Sequence, residues 1–298
     1  MNTVFALIKR NRKLFFRDKG MLISSLITPM ILIVLYATFL QNVYKDSFQS
    51  TLPGMIDVPE KLVNGTVAGQ LVAALLAVSC VTVTFCVNLT MIQDKASGAR
   101  KDFDVSPIHR PVLYIGYFCS TVLNSLMVNL LAVVMCLIYV KQMGWYLNGA
   151  DIAWIVLDVI LLVLFGAVLS SIICYPLKTQ GQMSAVGTIV SAGYGFICGA
   201  YMPVSNFSSG LQKFLSYLPG TYGTSLLKNH MLRGVFEEMK DQKFPDDAVT
   251  AIRDTLDCNP AFRGHVVSTS EMVVVLAGSI MILGIIYLLI AAATDRRK

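Results

Sequence analysis

The segment Gln93–Arg110, QDKASGARKDFDVSPIHR, combines charged, turn-forming and apolar residues between two long apolar runs. Asp94 and Lys95 follow directly on the first run, and Gly98 permits a turn. Ser106–Pro107 ends or restarts a helix, because proline disfavours helical geometry in the preceding residue and suits the first helical position after a serine cap. A short surface helix with charges and apolar side chains could dock a soluble partner. A plain connecting loop is the alternative, and the residue types leave both open.

One ionisable residue lies inside an apolar run. Asp158 is about one and a half to two turns from the end of its run that we predict to be external. A buried acid at that depth could bind a cation or carry a proton. Because a charge costs much less near the interface than at mid-membrane, the simpler interpretation is an acid that is wetted or hydrogen-bonded to a neighbouring helix.

Patterns typical of catalytic and metal sites are absent from the sequence. It contains no GxxxxGK[ST], HExxH or GxSxG motif and no CxxC pair. The three histidines lie outside the apolar runs, and six of the seven cysteines lie within them, where they suit packing better than a disulfide framework or a zinc site. We therefore predict a chain that is not an enzyme and that holds no metal and no cofactor of its own.

The elements that position these residues follow from the hydropathy of the chain. Of its 298 residues 55% are hydrophobic and 14% are charged, and the mean hydropathy is +0.64. A soluble domain has about 25% charged residues. We predict an all-α membrane protein, a single domain over residues 1–298, with six transmembrane helices of the roughly 20 residues that a crossing requires. The predicted spans are residues 21–40, 67–92, 112–140, 152–177, 183–203 and 272–293.

The distribution of lysine and arginine predicts the orientation. With the N-terminus inside, the inner segments contain fourteen of these residues, and the short outer loops contain three, namely Lys45, Lys61 and Lys141. Both termini and residues 93–111 are then cytoplasmic. We predict a multi-pass protein of a bacterial cytoplasmic membrane, in contact with lipids and with no nucleic-acid partner.

Two regions outside the spans have a character of their own. Residues 1–20 interleave apolar and basic side chains, which predicts an amphipathic helix in the inner interface. Residues 204–271 are predicted to be external. Their first part, 204–234, is apolar at helical spacing and is broken at Pro219–Gly220, which predicts short helices that dip into the interface or partly re-enter. Residues 235–270 form a polar insert.

The run MIQDKASGARKDFDVSPIHRPVLYIGY resembles the segment between the second and third spans of ABC-2 type transporter permeases. That family shows an acidic–basic pair, a glycine, an apolar–basic stretch and a (Ser/Thr)-Pro-x-x-Arg end. The matching residues are Asp94, Lys95, Gly98, Ser106, Pro107 and Arg110. Residues 102–105, DFDV, depart from the leucine-rich residues of the family. A second similarity follows the fifth span, in Pro203, Pro219-Gly220-Thr221-Tyr222 and Arg233-Gly234.

The resemblance implies the membrane subunit of an ABC exporter. Such a subunit pairs with itself or a sister permease, and two copies of a separate ATPase subunit bind ATP and Mg²⁺ below it. Residues 93–111 would be the coupling loop, with the N-terminal helix beside it. The implied coupling residues are Asp94, Lys95, Gly98, Arg100, Phe103, Ser106, Pro107 and Arg110.

In the resembled family the second and fifth spans line the transport path at the dimer interface. The candidate path residues are Thr82, Phe85, Asn88, Thr188, Ser191 and Tyr194. Because this path is apolar and aromatic, we expect an amphiphilic cargo such as a drug (multidrug export), a lipid-linked product or a hydrophobic peptide. The alternatives are an ion-coupled secondary transporter or channel, and a sensor or immunity module without transport of its own.

Overall fold

Helices make up most of the chain. The computed structural model describes residues 2–35, 58–106 and 108–295. In chain order the helices are α1 (Asn2–Arg17), α2 (Lys19–Leu35), α3 (Glu60–Ala96), α4 (Ala99–Val105), α5 (Arg110–Met143), α6 (Gly149–Cys174), α7 (Gln180–Ile197), α8 (Ser209–Leu215), α9 (Pro219–Asp241), α10 (Asp246–Thr255) and α11 (Thr269–Asp295). A 3₁₀ turn covers Val204–Asn206, and β1 (Ala261–Phe262) pairs antiparallel with β2 (His265–Val266). An all-α membrane protein fits these described residues.

Four of the predicted spans are helices that are long and apolar enough to cross a membrane, namely α3, α5, α6 and α11. The number six is not confirmed. The described part of the first predicted span, α2, ends at Leu35, and residues 36–40 lie outside the described residues. The fifth predicted span, 183–203, corresponds to α7, which is rich in small and polar residues and ends at Ile197. These two spans remain predictions.

Helix α3 is the axis of the bundle. Residues 65–85 of this helix are all buried, and it packs against α2, α5, α6, α7 and α9. Most residues of this stretch are apolar or small, on every side of the helix, which is the pattern of a helix without an exposed face. The close approach of α6 depends on Gly166, where an added Cβ would lie 2.5 Å from Thr84 Oγ1 and 3.0 Å from Val81 Cα. The other helices are therefore arranged around α3.

The two ends of the bundle carry different elements. Helices α1 and α4 lie where α3 ends and α5 begins, which we call the α4 end. Helix α10 and the β-hairpin lie at the opposite end, the hairpin end. Helix α1 lies within the predicted amphipathic segment and buries Leu7 and Phe15 while Arg12 and Lys13 are exposed. Leu7 packs closely on Gly116 of α5. The location of α1 in the membrane interface remains a prediction.

Helix α9 begins inside the bundle. Gly223 near its start packs on Leu162, which is about 20 Å along α6 from Gly149. Pro219 occupies the first turn, where its missing N–H costs no hydrogen bond. The helix then runs to Asp241, and so continues into the segment 235–270 that the sequence presents as a separate insert. The remainder of that segment contains α10 and the β-hairpin.

Candidate functional site

The predicted coupling segment folds as a short helix between two sharp changes of direction. Helix α3 ends at Ala96, and Gly98 has φ +85°, a left-handed conformation that glycine adopts without strain. Helix α4 follows, and Ser106 is extended at its end, with its hydroxyl donating to the carbonyl oxygen of Phe103 at 2.9 Å. The sequence left open a short surface helix or a plain connecting loop, and this geometry is that of a short helix. Pro107 lies outside the described residues.

Asp94 joins three helices at the α4 end. Arg10 of α1 donates to both of its carboxylate oxygens, at 2.6 and 2.8 Å, and the Tyr117 hydroxyl of α5 donates to Oδ2 at 2.5 Å. Asn11 beside Arg10 donates to Ser120 Oγ at 3.1 Å. The hydrogen bonds from Arg10 to Asp94 raise the pKa of the guanidinium above its ordinary value. A forked, charge-assisted pair of this kind fixes orientation as well as distance, so α1, α3 and α5 are held as one body.

Lys95 makes a second connection, on the other side of α3. Its ammonium donates to the carbonyl oxygens of Tyr175 at 2.5 Å and Leu177 at 3.1 Å, in the connection between α6 and α7. These carbonyls belong to a helix terminus, where oxygens lack intrahelical donors and favour a cation. Asp94 and Lys95, adjacent in sequence, thus connect the end of α3 to α1 and α5 on one side and to α6 on the other.

Helix α4 has an inner face and an exposed face. Phe103 on the inner face lies 5.1 Å from the Arg10 guanidinium. Arg100 lies 4.9 Å from the ring of Tyr114 and donates to its hydroxyl at 3.2 Å. The opposite face exposes Lys101, Asp102 and Val105. Arg110, half-buried, begins α5.

The predicted coupling residues within α4, Arg100 and Phe103, lie on its inner face. The exposed residues Lys101, Asp102 and Val105 are not among them, although the sequence does predict Val105 as an apolar docking side chain of this helix. Their spacing of i, i+1 and i+4, against Phe103, is the signal that could have separated the two faces. Arg10 and Tyr117 were also missed, because they are distant from the segment in sequence. The exposed face combines a cation, an anion and an apolar side chain, and it is the part of α4 that another protein could contact.

The predicted path residues do not form one surface. Thr82, Phe85 and Asn88 of α3 are buried within the chain, and Asn88 donates to Ser170 and Ser171 Oγ of α6, both at 3.2 Å. On α7 the structure places the other three candidates at different exposures. Thr188 is exposed, Ser191 is half-buried and Tyr194 is buried, with a hydroxyl that has no hydrogen-bond partner among the described residues.

Asp158 is hydrogen-bonded to a neighbouring helix, as in the simpler of the two interpretations. Its Oδ2 lies 2.6 Å from His230 Nδ1 of α9, and the carboxylate is 1% exposed. The His230 ring stacks on Trp154 with ring centroids 5.5 Å apart. His230 and Trp154 border a pocket of 330 Å³ at the hairpin end. His230 was missed because it was placed outside the spans, whereas α9 carries it back into the bundle.

The sequence profile of the ABC-2 type transporter family matches residues 2–232. The matched region contains α1 to α8 and most of α9, and so includes the Asp94 contacts and α4. A comparison with curated proteins found no match. Arg233–Gly234, α10, the β-hairpin and α11 follow the matched region.

Proposed function

Since the chain belongs to the ABC-2 type transporter family, we propose that it is the membrane subunit of an exporter that moves an amphiphilic cargo outward. The cargo would be a drug, a lipid-linked product or a hydrophobic peptide. Two copies of a separate ATPase subunit would supply the driving force and hold ATP and Mg²⁺. No nucleic acid takes part in this function.

The observation that carries the proposal is the contact of Arg10 and Tyr117 with Asp94. A partner that pushes on the exposed face of α4 would move α1, α3 and α5 together, because this contact joins them. In the proposed mechanism, ATP binding closes the ATPase dimer, and the α4 end transmits that closure to the spans. The populations of inward- and outward-facing states then shift by as much as the partner binds one state better than the other.

A dimer of this chain with itself or with a sister permease is part of the proposal. Helix α7 packs mainly against α3 and leaves much of its length exposed, including Thr188, Ile189 and Phe196. Small residues alternate with these along the helix, and small residues allow close helix packing in lipid. The path candidates Thr188 and Ser191 would then lie near the dimer contact.

The proposed orientation has the α4 end in the cytoplasm of a bacterial cell. A cysteine introduced as Val105→Cys, at a position that is 88% exposed, should resist a membrane-impermeant maleimide in intact cells and react in inverted vesicles. His265→Cys, at a side chain that is 70% exposed, should show the opposite pattern. The parent chain is the baseline, since its seven free cysteines are buried or half-buried. Labelling of Val105→Cys in intact cells would contradict this orientation and indicate that the α4 end faces outward.

Transport by purified protein tests the function directly. We expect proteoliposomes with the permease and its ATPase subunit to accumulate a fluorescent amphiphilic dye only when ATP and Mg²⁺ are present on the ATPase side. Removing the ATPase subunit should lower the rate to that of empty vesicles. Flux of polar sugars alone would contradict the proposed cargo class.

An ion-coupled secondary transporter is the second candidate. It is favoured by one observation, the buried Asp158 carboxylate bonded to His230 within the bundle, since such residues serve as ion and proton sites in transporters. Dye accumulation that persists without ATP but collapses with the proton gradient would favour this candidate. A sensor or immunity role without transport predicts neither form of accumulation.

A further inference from the structure

The pocket at the hairpin end is bordered by α6, α9 and α10 and has a volume of 330 Å³. Trp154 forms one wall and is 45% exposed at its rim, while Phe236 is buried on another side. Trp154 lies only about 7 Å along α6 from Gly149. The pocket therefore opens near the level where the end of the bundle would meet lipid headgroups, and it is separate from the α4 end.

Basic side chains surround this pocket in excess over acids. Arg233, Lys240 and Arg253 border it together with a single acid, Glu237. Glu237 already pairs with Arg233 at 3.0 Å, and Arg233 also lies 3.4 Å from the buried Asp151. Lys240 and Arg253 have no acidic partner within 4.0 Å among the described residues. In the described part of the chain, these two cations at the pocket are therefore not engaged in an ion pair.

Arg253 is held in place by neutral groups. Its guanidinium lies 4.9 Å from the Phe236 ring centre, donates from Nη2 to Asn229 Oδ1 at 2.8 Å and donates from Nε to Asn259 Oδ1 at 3.3 Å. These contacts orient the planar group without cancelling its charge. A pre-oriented guanidinium loses little side-chain freedom on binding an oxyanion, and its fork matches phosphate geometry.

His230 forms the inner wall of the pocket. Asp158 holds the ring through Nδ1, and Trp154 stacks on its face with an interplanar angle of 19°. Nε2 is the ring nitrogen that this contact with Asp158 does not use. A carboxylate behind a histidine fixes ring orientation, as it does in other ligand sites. The imidazole is therefore a positioned polar group rather than a mobile one.

We infer that this pocket binds a phosphate group, held mainly by Arg253 and Lys240 against the wall formed by Trp154. The group could belong to a lipid headgroup or to a soluble phosphate, because both present the same oxygens to the site. The site lies outside the elements proposed to contact the ATPase, so this inference does not depend on the proposed function.

The fluorescence emission of Trp154, in the wall of the pocket, can report binding. The chain has two tryptophans, and Trp145→Phe leaves Trp154 as the only one. In this background and in neutral detergent, titration with inorganic phosphate should give a saturable change in tryptophan emission. An equal ionic strength of potassium chloride should give none. If the site prefers a lipid headgroup, the Trp154 emission should differ between nanodiscs that contain phosphatidylglycerol and nanodiscs of phosphatidylcholine alone.

Charge-removing variants make the test specific. Arg253→Gln and Lys240→Gln should each weaken the response by about tenfold or more, the effect of losing a charge-assisted contact. Lys240 is exposed, so its replacement does not threaten folding. Arg263→Gln in the hairpin removes the same charge from the same end and should leave the response unchanged.

A response to phosphate in detergent identifies a soluble-anion site, and a response confined to phosphatidylglycerol identifies a lipid site. No response in either setting, or equal responses in parent and both pocket variants, would overturn the inference.

Discussion

Replacing Arg10 with Gln is expected to uncouple transport from ATP hydrolysis and to destabilise the α4 end. Among the described residues, the change leaves the Asp94 carboxylate, whose side chain is 7% exposed, with the Tyr117 hydroxyl as its remaining hydrogen-bond partner. Removing one partner of a buried ion pair costs about 3–5 kcal/mol, and we expect about 2–4 kcal/mol here because Arg10 is 33% exposed. Helix α1 would then no longer move with α3 and α5. The measurements are the thermal unfolding midpoint and the cargo moved per ATP hydrolysed.

Arg12→Gln is the matched control for this prediction. Arg12 is on the same helix and is exposed, so its loss removes the same charge without opening the Asp94 contact. We expect its midpoint and coupling to equal those of the parent chain. Arg10→Lys should recover only part of the loss, because an ammonium cannot reproduce the forked contact with both carboxylate oxygens. Equal behaviour of Arg10→Gln and Arg12→Gln would contradict the coupling role of this contact.

The direction in which pH changes the contribution of Arg10 to folding stability follows from its pKa. The hydrogen bonds from Arg10 to Asp94 raise the pKa of Arg10 in the folded protein above its value in the unfolded chain. A raised pKa means that the contribution is complete below the unfolded pKa and is lost as pH rises through the folded pKa. Since the ordinary pKa of arginine already lies above the pH range of such assays, the stability that Arg10 contributes should not be lost as the pH is raised through that range, as unfolding midpoints of the parent chain and Arg10→Gln at increasing pH would measure.

The sequence was most informative where function depends on local order. Gly98 and Ser106 bound a short helix at the predicted place because turn and cap preferences act within a few residues. A coupling role for Asp94 and Lys95 is predicted from the sequence, whereas the residues that they contact are not. Their partners Arg10, Tyr117 and Tyr175 come from other helices, and no local preference encodes such distant contacts.

The hairpin end was harder to predict because polar residues there are buried in pairs. Lys228 is fully buried, yet its ammonium meets Asp257 Oδ2 at 3.3 Å and the carbonyl oxygen of Gly199 at 3.2 Å. Asn229 donates to the carbonyl oxygen of Cys258 at 2.6 Å. Hydropathy assigns such residues to solvent, since it does not register a partner elsewhere in the chain. This is why α9 extends beyond the short external helix that its sequence indicates.

Replacing Gly234 with Ala is expected to destabilise the protein by about 3 kcal/mol, the upper end of the usual cost of overpacking. A Cβ at this position of α9 would overlap the carbonyl oxygen of Tyr146, which belongs to the connection between α5 and α6. A backbone oxygen cannot move aside as the tip of a flexible side chain can. Thermal unfolding of the purified variant in detergent would measure the loss.

The contact between Gly234 and Tyr146 also explains why arginine precedes glycine at residues 233 and 234. Gly234 allows α9 to touch the α5–α6 connection, and Arg233 then lies 3.4 Å from the Asp151 carboxylate at the start of α6. Gly278→Ala in α11 is the control, because among the described residues a Cβ there would have no atom within 4 Å apart from its chain neighbours and the nearby backbone of its own helix. Alanine in a helix is favoured over glycine by about 0.5–1 kcal/mol, so this control should raise the midpoint slightly. The two glycine-to-alanine substitutions should therefore shift the thermal unfolding midpoint in opposite directions. A rise for both would show that α9 can separate from Tyr146 at little cost.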